Sequence, residues 1–396
     1  MSFRYIQKLP VVQLCQDLVR APSVSGDERK AVEALRRYYL SHGVDELHID
    51  EYGSLIAVIR GDRPGPTILF DGHIDVVPVS DASAWSVDPF AGEIIDGRLY
   101  GRGTSDMKGA VSAMSVAACS FAKATQGRFA GNLIVASVVQ EECFEGVAAR
   151  AISSAFKPDL VIIGEATDLN LNIGQRGRTE IQLESFGIPA HSANPEKGWN
   201  AVYALCDLIK CVRKLPAPEH PILGKGILEL TDIVSSPYPG ASVVPEYCVA
   251  TFDRRLLPGE TKEQVLQPLK QLIRSEMEKN GKNRFEAKLA IGKEVCYTGT
   301  IIESERFFPG WIFDENETFV EKALKTLHTA GLDSKISFYN FCTNGSHYAG
   351  EANIPTLGLG PSVESLAHTV DEHIEIEALQ RAVTAYTAIM EAFLID

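Results

Sequence analysis

Apolar residues in the first 170 positions follow two alternating patterns. Ile6–Arg20 and Glu28–Ser41 carry them at helical spacing, the second behind a Ser25-Gly26-Asp27 start. Leu55–Ile59, Thr67–Phe70, Leu133–Val139 and Leu160–Ile163 are short apolar or β-branched runs, the pattern of strands buried on both faces. Lys108–Ala124 reads as a helix between two of these strands, its Ala and Ser content suited to tight packing. Buried strands joined by helical crossovers predict a layered α/β domain.

The pattern changes near Arg178. Strand Thr179–Phe186, helix Asn200–Lys214, strands Gly226–Val234 and Val243–Asp253, helix Lys262–Lys279 and strand Arg284–Ile291 follow in turn. That β-α-β-β-α-β order is the ferredoxin-like arrangement. After Tyr297 the α/β alternation returns, with helix Glu317–Ala330, short strands near Ile336–Tyr339 and Thr356–Leu359, and a closing helix from Ile374. The simplest organisation is one α/β domain, residues 1–178 and 295–396, interrupted by an α+β unit at 179–294.

Composition narrows the partners more than the fold. Over 396 residues, 45% hydrophobic and 23% charged is ordinary for a globular chain. A net charge of −14 argues against nucleic acid or an anionic membrane as a main partner. No stretch reaches about 18 uninterrupted apolar residues, and the first 22 lack the apolar core of an export signal. Eight cysteines without a C-x-x-C pair point to a reducing, cytoplasmic setting. Cys143 lies among chemically interesting residues but has no activating motif around it.

Chemistry gathers where apolar runs end. His73 and Asp75 follow the run ending at Phe70, and spacing of two on an extended chain puts both on one side. A ligating imidazole backed by a carboxylate has this form, as does a strand-end histidine capped by a surface acid. Asp106 sits in a glycine-rich turn, Leu99 to Ala110, that opens a helix. The turn matches neither phosphate-loop pattern, so Asp106 is a ligand or a helix N-cap. Glu141 and Glu142 follow Val139, and Glu165 follows Ile163. Adjacent acids at the end of a buried run are costly without compensation. His368 and His373 lie in a loop before the last helix, His373 reading as a surface or helix-start residue. Imidazoles and carboxylates at the strand ends of one α/β layer occupy the usual ligand position of such sheets. A set of this kind without thiolate suits Zn²⁺, Co²⁺ or Mn²⁺.

The motifs G-H-I-D-V-V-P, G-R-G-T-S-D-M-K-G, E-E, G-E-A-T and A-H-T, in this order, resemble the signature of the acetylornithine deacetylase / succinyl-diaminopimelate desuccinylase family. These are co-catalytic zinc deacylases and peptidases, and the resemblance covers almost the whole chain. It implies a zinc-exopeptidase-like α/β/α catalytic domain with an inserted ferredoxin-like lid or dimerisation domain, in a homodimer. It also implies His73 and Glu165 on one metal, Glu142 and His368 on the other, and Asp106 bridging them, with a cis peptide to Met107. Asp75 would orient His73, and Glu141 would be the general base. His191 resembles the histidine that reaches a partner's active site, and Arg255 the arginine that holds a substrate carboxylate. Arg176 and the loop of Asn344, Gly345 and Ser346 would complete substrate binding.

Three positions depart from the pattern. Ser242 stands where asparagine is usual, Gly174-Gln-Arg176-Gly177 keeps one arginine of G-R-R-G, and Thr343-Asn-Gly-Ser-His replaces G-G-T-S-D. All fall in the substrate shell and point to a branch with a different small amide. The expected activity is hydrolysis of a small N-acyl amino acid with a free carboxylate. A dipeptidase or aminopeptidase, or a non-catalytic metal-binding relative, is the competing expectation.

Overall fold

Pro10, with its fixed φ, occupies the first turn of helix α1 (Pro10–Val19). The computed structural model describes residues 9–395, so Ile6–Lys8 of the expected first helix lie outside the described residues. The chain forms two compact units, one of Met1–Gln175, Lys293–Glu303 and Ile312–Asp396, the other of Arg176–Gly292 and Ser304–Trp311. The segment 304–311, expected with the α/β domain, thus belongs to the second unit because Phe307–Phe308 pairs with its sheet.

In the first unit the principal helices are α1, α2 (Arg29–Ser41), α3 (Gly109–Thr125) and α4 (Val147–Phe156). Its first strands are β1 (Leu47–Ile49), β2 (Leu55–Arg60), β3 (Arg63–His73), β4 (Ala130–Val138), β5 (Leu160–Ile163) and β6 (Leu171–Gln175). The sheet runs β1-β2-β4-β3-β5, then continues through a strand at Thr356–Gly358 to β6. β3 lies parallel to β4, with His73 opposite Val138, and to β5, with Asp71 opposite Ile163. Thr356–Gly358 is parallel to β5, with Gly358 opposite Ile163. Four carboxyl ends therefore emerge along one edge of the sheet.

Alternate strand residues fill two cores, as buried two-faced strands require. Leu55, Ala57, Phe70, Val135 and Ile162 pack with α1, α2, α3 and the later helices Thr318–Thr329 and Ile376–Leu394. Ile56, Leu69, Ile134, Val161 and Ile163 pack with Ala148, Ala149 and Ile152 of α4 on the other face. Gly72 and Gly164 let α3 lie close to the strand ends. A Cβ at Gly72 would fall 2.8 Å from Val111, and one at Gly164 would fall 2.3 Å from Met114.

The second unit contains β7 (Gly177–Phe186), α5 (Ala201–Val212), β8 (Ile227–Ser236), β9 (Tyr247–Leu256), α6 (Lys262–Lys279) and β10 (Phe285–Leu289). The strands are antiparallel in the order β8-β9-β7-β10, which is the ferredoxin-like order. Asn200 caps α5, and a Thr261–Gln264 capping box opens α6. β9 starts four residues later than expected, past Pro245, which has no N–H for a ladder. In the first unit, the closing helix starts at Ile376 because His373–Glu375 pairs with Arg98–Tyr100. No helix among the described residues is long and apolar enough to cross a membrane.

Candidate metal centre

His73 ends β3 almost fully buried. Its Nδ1–H donates to the Asp75 carbonyl oxygen at 2.9 Å, which aims Nε2 at Asp106 Oδ1 (2.9 Å) and Glu165 Oε1 (3.3 Å). Asp106 is held in extended backbone (φ −131°, ψ 94°) just before α3, and its peptide bond to Met107 is cis. Its carboxylate makes no N-cap; Oδ1 faces His73 while Oδ2 lies 3.1 Å from His368 Nε2. The same His368 nitrogen is 3.1 Å from Glu142 Oε2. Gln140 takes a left-handed φ of 60° at the end of β4 and turns the chain so that Glu141 and Glu142 follow. Glu141 Oε2 is 4.0 Å from His73 Nε2, and its buried Oε1 has no hydrogen-bond partner.

Ligand atoms of His73, Asp106 and Glu142 lie within 4.8 Å of one another, as do those of His73, Glu141 and Glu165. These donors are all nitrogen and oxygen, and the 2.9–3.3 Å separations are close to the edge, about 3.3 Å, of a tetrahedron with ligand bonds near 2.0 Å. The residues therefore fit divalent cations.

Charge in the cluster is shared through protons. Burial opposes a charged His73, but Glu165, Asp106 and Glu141 outweigh it and raise its pKa well above the usual imidazole range. Hydrogen bonds to Asp106 and Glu142 raise His368 to about 10. Burial and the charge of Asp106 raise Glu165 to about 7, and burial raises Glu141 and Glu142 as well. Asp106 is lowered, its burial being overcome by the two imidazoles. The protons on these groups are those that a divalent cation displaces on binding.

Three expected site elements also have other partners in the structure. The Asp75 carboxylate is 3.6 Å from His73 Nδ1; it accepts instead from the N–H groups of Glu141 and Glu142 (3.1 Å each) and from Ser25 Oγ. It is the carbonyl of Asp75 that orients the imidazole. Arg176 is engaged by its own unit, donating to the carbonyls of Lys225 and Leu223. Asn344, Gly345 and Ser346 are buried. Asn344 accepts from Gly146 N and donates to Asp71, and Gly345 N donates to Thr343 Oγ1. Arg255, in the second unit, pairs with Asp253 at 2.8 Å. His191, in the same unit, is exposed and accepts Ala193 N–H at Nδ1. His373 packs on Tyr100 and donates to the Asp371 carbonyl, outside the cluster.

Four buried charged residues around the cluster were missed. Lys108 donates to the carbonyls of Leu18 and Ala21, and burial lowers it to about 7. Asp71, raised to about 6 by burial, accepts from Asn344 and Tyr348. Glu372 accepts from the Asp106 turn. Glu28 accepts from Gly26 N and Gln140 N, supporting the left-handed turn. An acid inside an apolar stretch was the available signal only for Asp71, in Ile68-Leu-Phe-Asp.

Burial and the charge of Asp75 raise Glu28 from 4.5 to about 7. A raised carboxyl holds its proton more tightly when folded, so its stabilisation is complete below pH 4.5 and is lost as pH rises through about 7. The shift corresponds to on the order of 3 kcal/mol. Glu28→Gln keeps one acceptor oxygen and removes the titration. Thermal melts between pH 4.5 and 8 are expected to fall less steeply with pH in the variant; equal slopes would contradict this.

Residues 69–392 match the model of peptidase family M20/M25/M40. The chain belongs to this family. Like its M20-family relatives it is a metallohydrolase acting on amide or peptide bonds. It is 31% identical over 403 residues to succinyl-diaminopimelate desuccinylase 2 of Ruegeria sp. (strain TM1040), covering 96% of this chain and 94% of the relative. It is 30% identical over 387 residues to the uncharacterized protein YgeY of Escherichia coli (strain K12), covering 96% and 93%. The M20 chain also shares its fold with the di-peptidase Dug1p of Saccharomyces cerevisiae, at a TM-score of 0.76, 16% identity and coverage of 99% and 97%.

Proposed function

We propose that the protein removes the acyl group from a small N-acyl amino acid by hydrolysis, with Glu141 as general base. The observation carrying this reading is the splayed carboxylate of Asp106, one oxygen toward His73 and the other toward His368, beside the unpartnered Oε1 of Glu141. His73 and Glu165 would hold one divalent cation, Glu142 and His368 a second, and Asp106 would belong to both. Zn²⁺ is the proposed metal, and Co²⁺ or Mn²⁺ suits the same donors. Bound cations would supply Lewis acidity and lower the pKa of water.

Glu141 takes the proton of the attacking water and delivers it to the leaving amine nitrogen. Asp75, through the two amide N–H groups, keeps Glu141 and Glu142 in register. His191 supplies an oxyanion donor: with Nδ1 accepting from Ala193, the ring proton resides on Nε2. Arg255 pairs with the carboxylate of the substrate; Arg176, Asn344, Gly345 and Ser346 serve by shaping the units that carry them.

The ferredoxin-like unit is proposed to form a homodimer. The edge strand β8 exposes Ile227, Ile233 and Val234, and Tyr203 and Tyr238 are exposed in the same unit. Exposed apolar edges of this kind pair with a second copy. Sedimentation is expected to give twice the chain mass, and Ile233→Lys to give monomer; a wild-type monomer would contradict the dimer. The eight thiols fit a cytoplasmic setting.

The activity is tested by presenting the zinc-loaded protein with N-acetyl, N-succinyl and N-carbamoyl amino acids alongside dipeptides. Preferential cleavage of an N-acyl amino acid is expected. Preference for dipeptides would favour the peptidase reading.

A further inference from the structure

Glu372 is fully buried and touches none of the proposed ligand atoms, yet both its oxygens are used. Oε1 accepts from the N–H groups of Ser105 (2.8 Å) and Asp106 (3.1 Å). Oε2 accepts from Gly103 N (3.0 Å) and from Arg102 Nη1 (2.6 Å). The Glu372 carbonyl accepts from Gly101 N at 2.9 Å. One residue therefore accepts from four of the six backbone N–H groups between Gly101 and Asp106, and from the Arg102 guanidinium as well. Arg102, whose guanidinium lies 5.3 Å from the Trp85 ring, offsets the buried charge.

Glu372 also follows His368 by four residues, in a loop whose backbone is far from relaxed. His368 (φ 61°) and Asp371 (φ 57°) are both left-handed without being glycine. Such conformations persist only where surrounding contacts enforce them. On one side of Glu372 is this strained loop with His368; on the other is the extended turn with Asp106. The Oδ2–Nε2 separation of 3.1 Å between Asp106 and His368 depends on the register of these two segments.

We infer that Glu372 is a positioning residue that locks the Asp106 turn to the His368 loop and thereby builds the half of the site formed by Asp106, Glu142 and His368. This rests on the two-cation reading above. His73 ends β3 in register with Val138 of β4, and Glu165 follows the end of β5 by two residues, so both reach the cluster from segments that Glu372 does not touch. Loss of Glu372 should therefore weaken one half of the site more than the other.

Glu372→Gln separates the possibilities. Its single amide oxygen serves one pair of N–H donors, while its NH₂ group faces the other pair. The test counts bound zinc after dialysis against a graded chelator series, with circular dichroism and thermal melts confirming the fold. Wild type is expected to hold two ions per chain. Glu372→Gln is expected to release one of them at about 10–100-fold lower chelator strength, the scale for residues that orient ligands. Excess Zn²⁺ should restore part of its turnover. Glu375→Gln, which changes the nearby exposed partner of Arg98, should keep both ions at wild-type strength.

If Glu372→Gln fails to fold, Glu372→Asp, which keeps the charge but shortens its reach, should fold and show the same selective loss. Two ions held by a folded variant at wild-type strength would overturn the inference while leaving the two-cation reading intact. Equal weakening of both ions would overturn the assignment to one half. A wild-type chain holding a single ion would overturn the two-cation reading and this inference with it.

Discussion

Glu141→Ala is expected to keep both metal ions and to lower kcat by about 10²–10⁴-fold, the usual contribution of a positioned acid–base group. Glu141 sits beside the ligand cluster, with Oε2 4.0 Å from His73 Nε2, farther than Glu165 at 3.3 Å. Its other oxygen is buried and unpartnered, the state of a group that awaits a proton donor. In the proposed mechanism this group acts twice, once to accept and once to return a proton. Metal content by atomic emission and steady-state kinetics on the preferred substrate check the prediction together. Near-normal rates would remove Glu141 as the base, and loss of one ion would make it a ligand, which its proximity to His73 and Glu165 also permits.

Asp106→Asn is expected to act on both ions and to reduce turnover by about 10³-fold or more, since each 1.4 kcal/mol of lost stabilisation costs tenfold and metal stabilisation is worth several kcal/mol. The two Asp106 oxygens face two different imidazoles, at 2.9 and 3.1 Å. Asparagine places an NH₂ group on one of those sides, where it can neither ligate nor accept. It also removes one of the anions, beside Glu165 at His73 and Glu142 at His368, that raise the two imidazoles in the metal-free cluster. Both imidazoles should therefore titrate at lower pH in the metal-free variant than in metal-free wild type, measurable by NMR of the ring protons. Unchanged ion content together with unchanged titration would contradict the bridging role.

The layered fold and the ferredoxin-like unit were legible because their strands carry long apolar or β-branched runs and their helices carry caps, as at Asn200 and Thr261. Strand β6, with Asn172 and Gly174 inside it, gave no such pattern, and its pairing is supplied by the sheet around it. His73, Glu141, Glu142 and Glu165 were visible as a histidine and acids at the ends of buried runs, a position with few other uses, whereas Asp106 in its turn and His368 in its loop had no such local mark. The supporting groups were harder to see. Glu372 lies between Asp371 and His373 and has the local look of a surface run, and its burial arises only when the Asp106 turn folds over it. Glu28 likewise reads as part of a helix start until Gln140 is brought to it. Spacing brought the Asp75 side chain to within 3.6 Å of His73 Nδ1, but it gave no sign that the Asp75 carbonyl would take the imidazole N–H while the carboxylate accepted from Glu141 and Glu142.

The decisive measurement is a metal titration read as both binding and hydrolysis. Protein stripped of metal is given Zn²⁺ in steps, and bound ion and initial rate are followed on N-acetyl, N-succinyl and N-carbamoyl amino acids and on dipeptides. Hydrolysis of an N-acyl amino acid is expected to rise with occupancy and to level off at two ions per chain. Two ions bound with no hydrolysis of any substrate in the set would contradict an amide hydrolase working through this cluster.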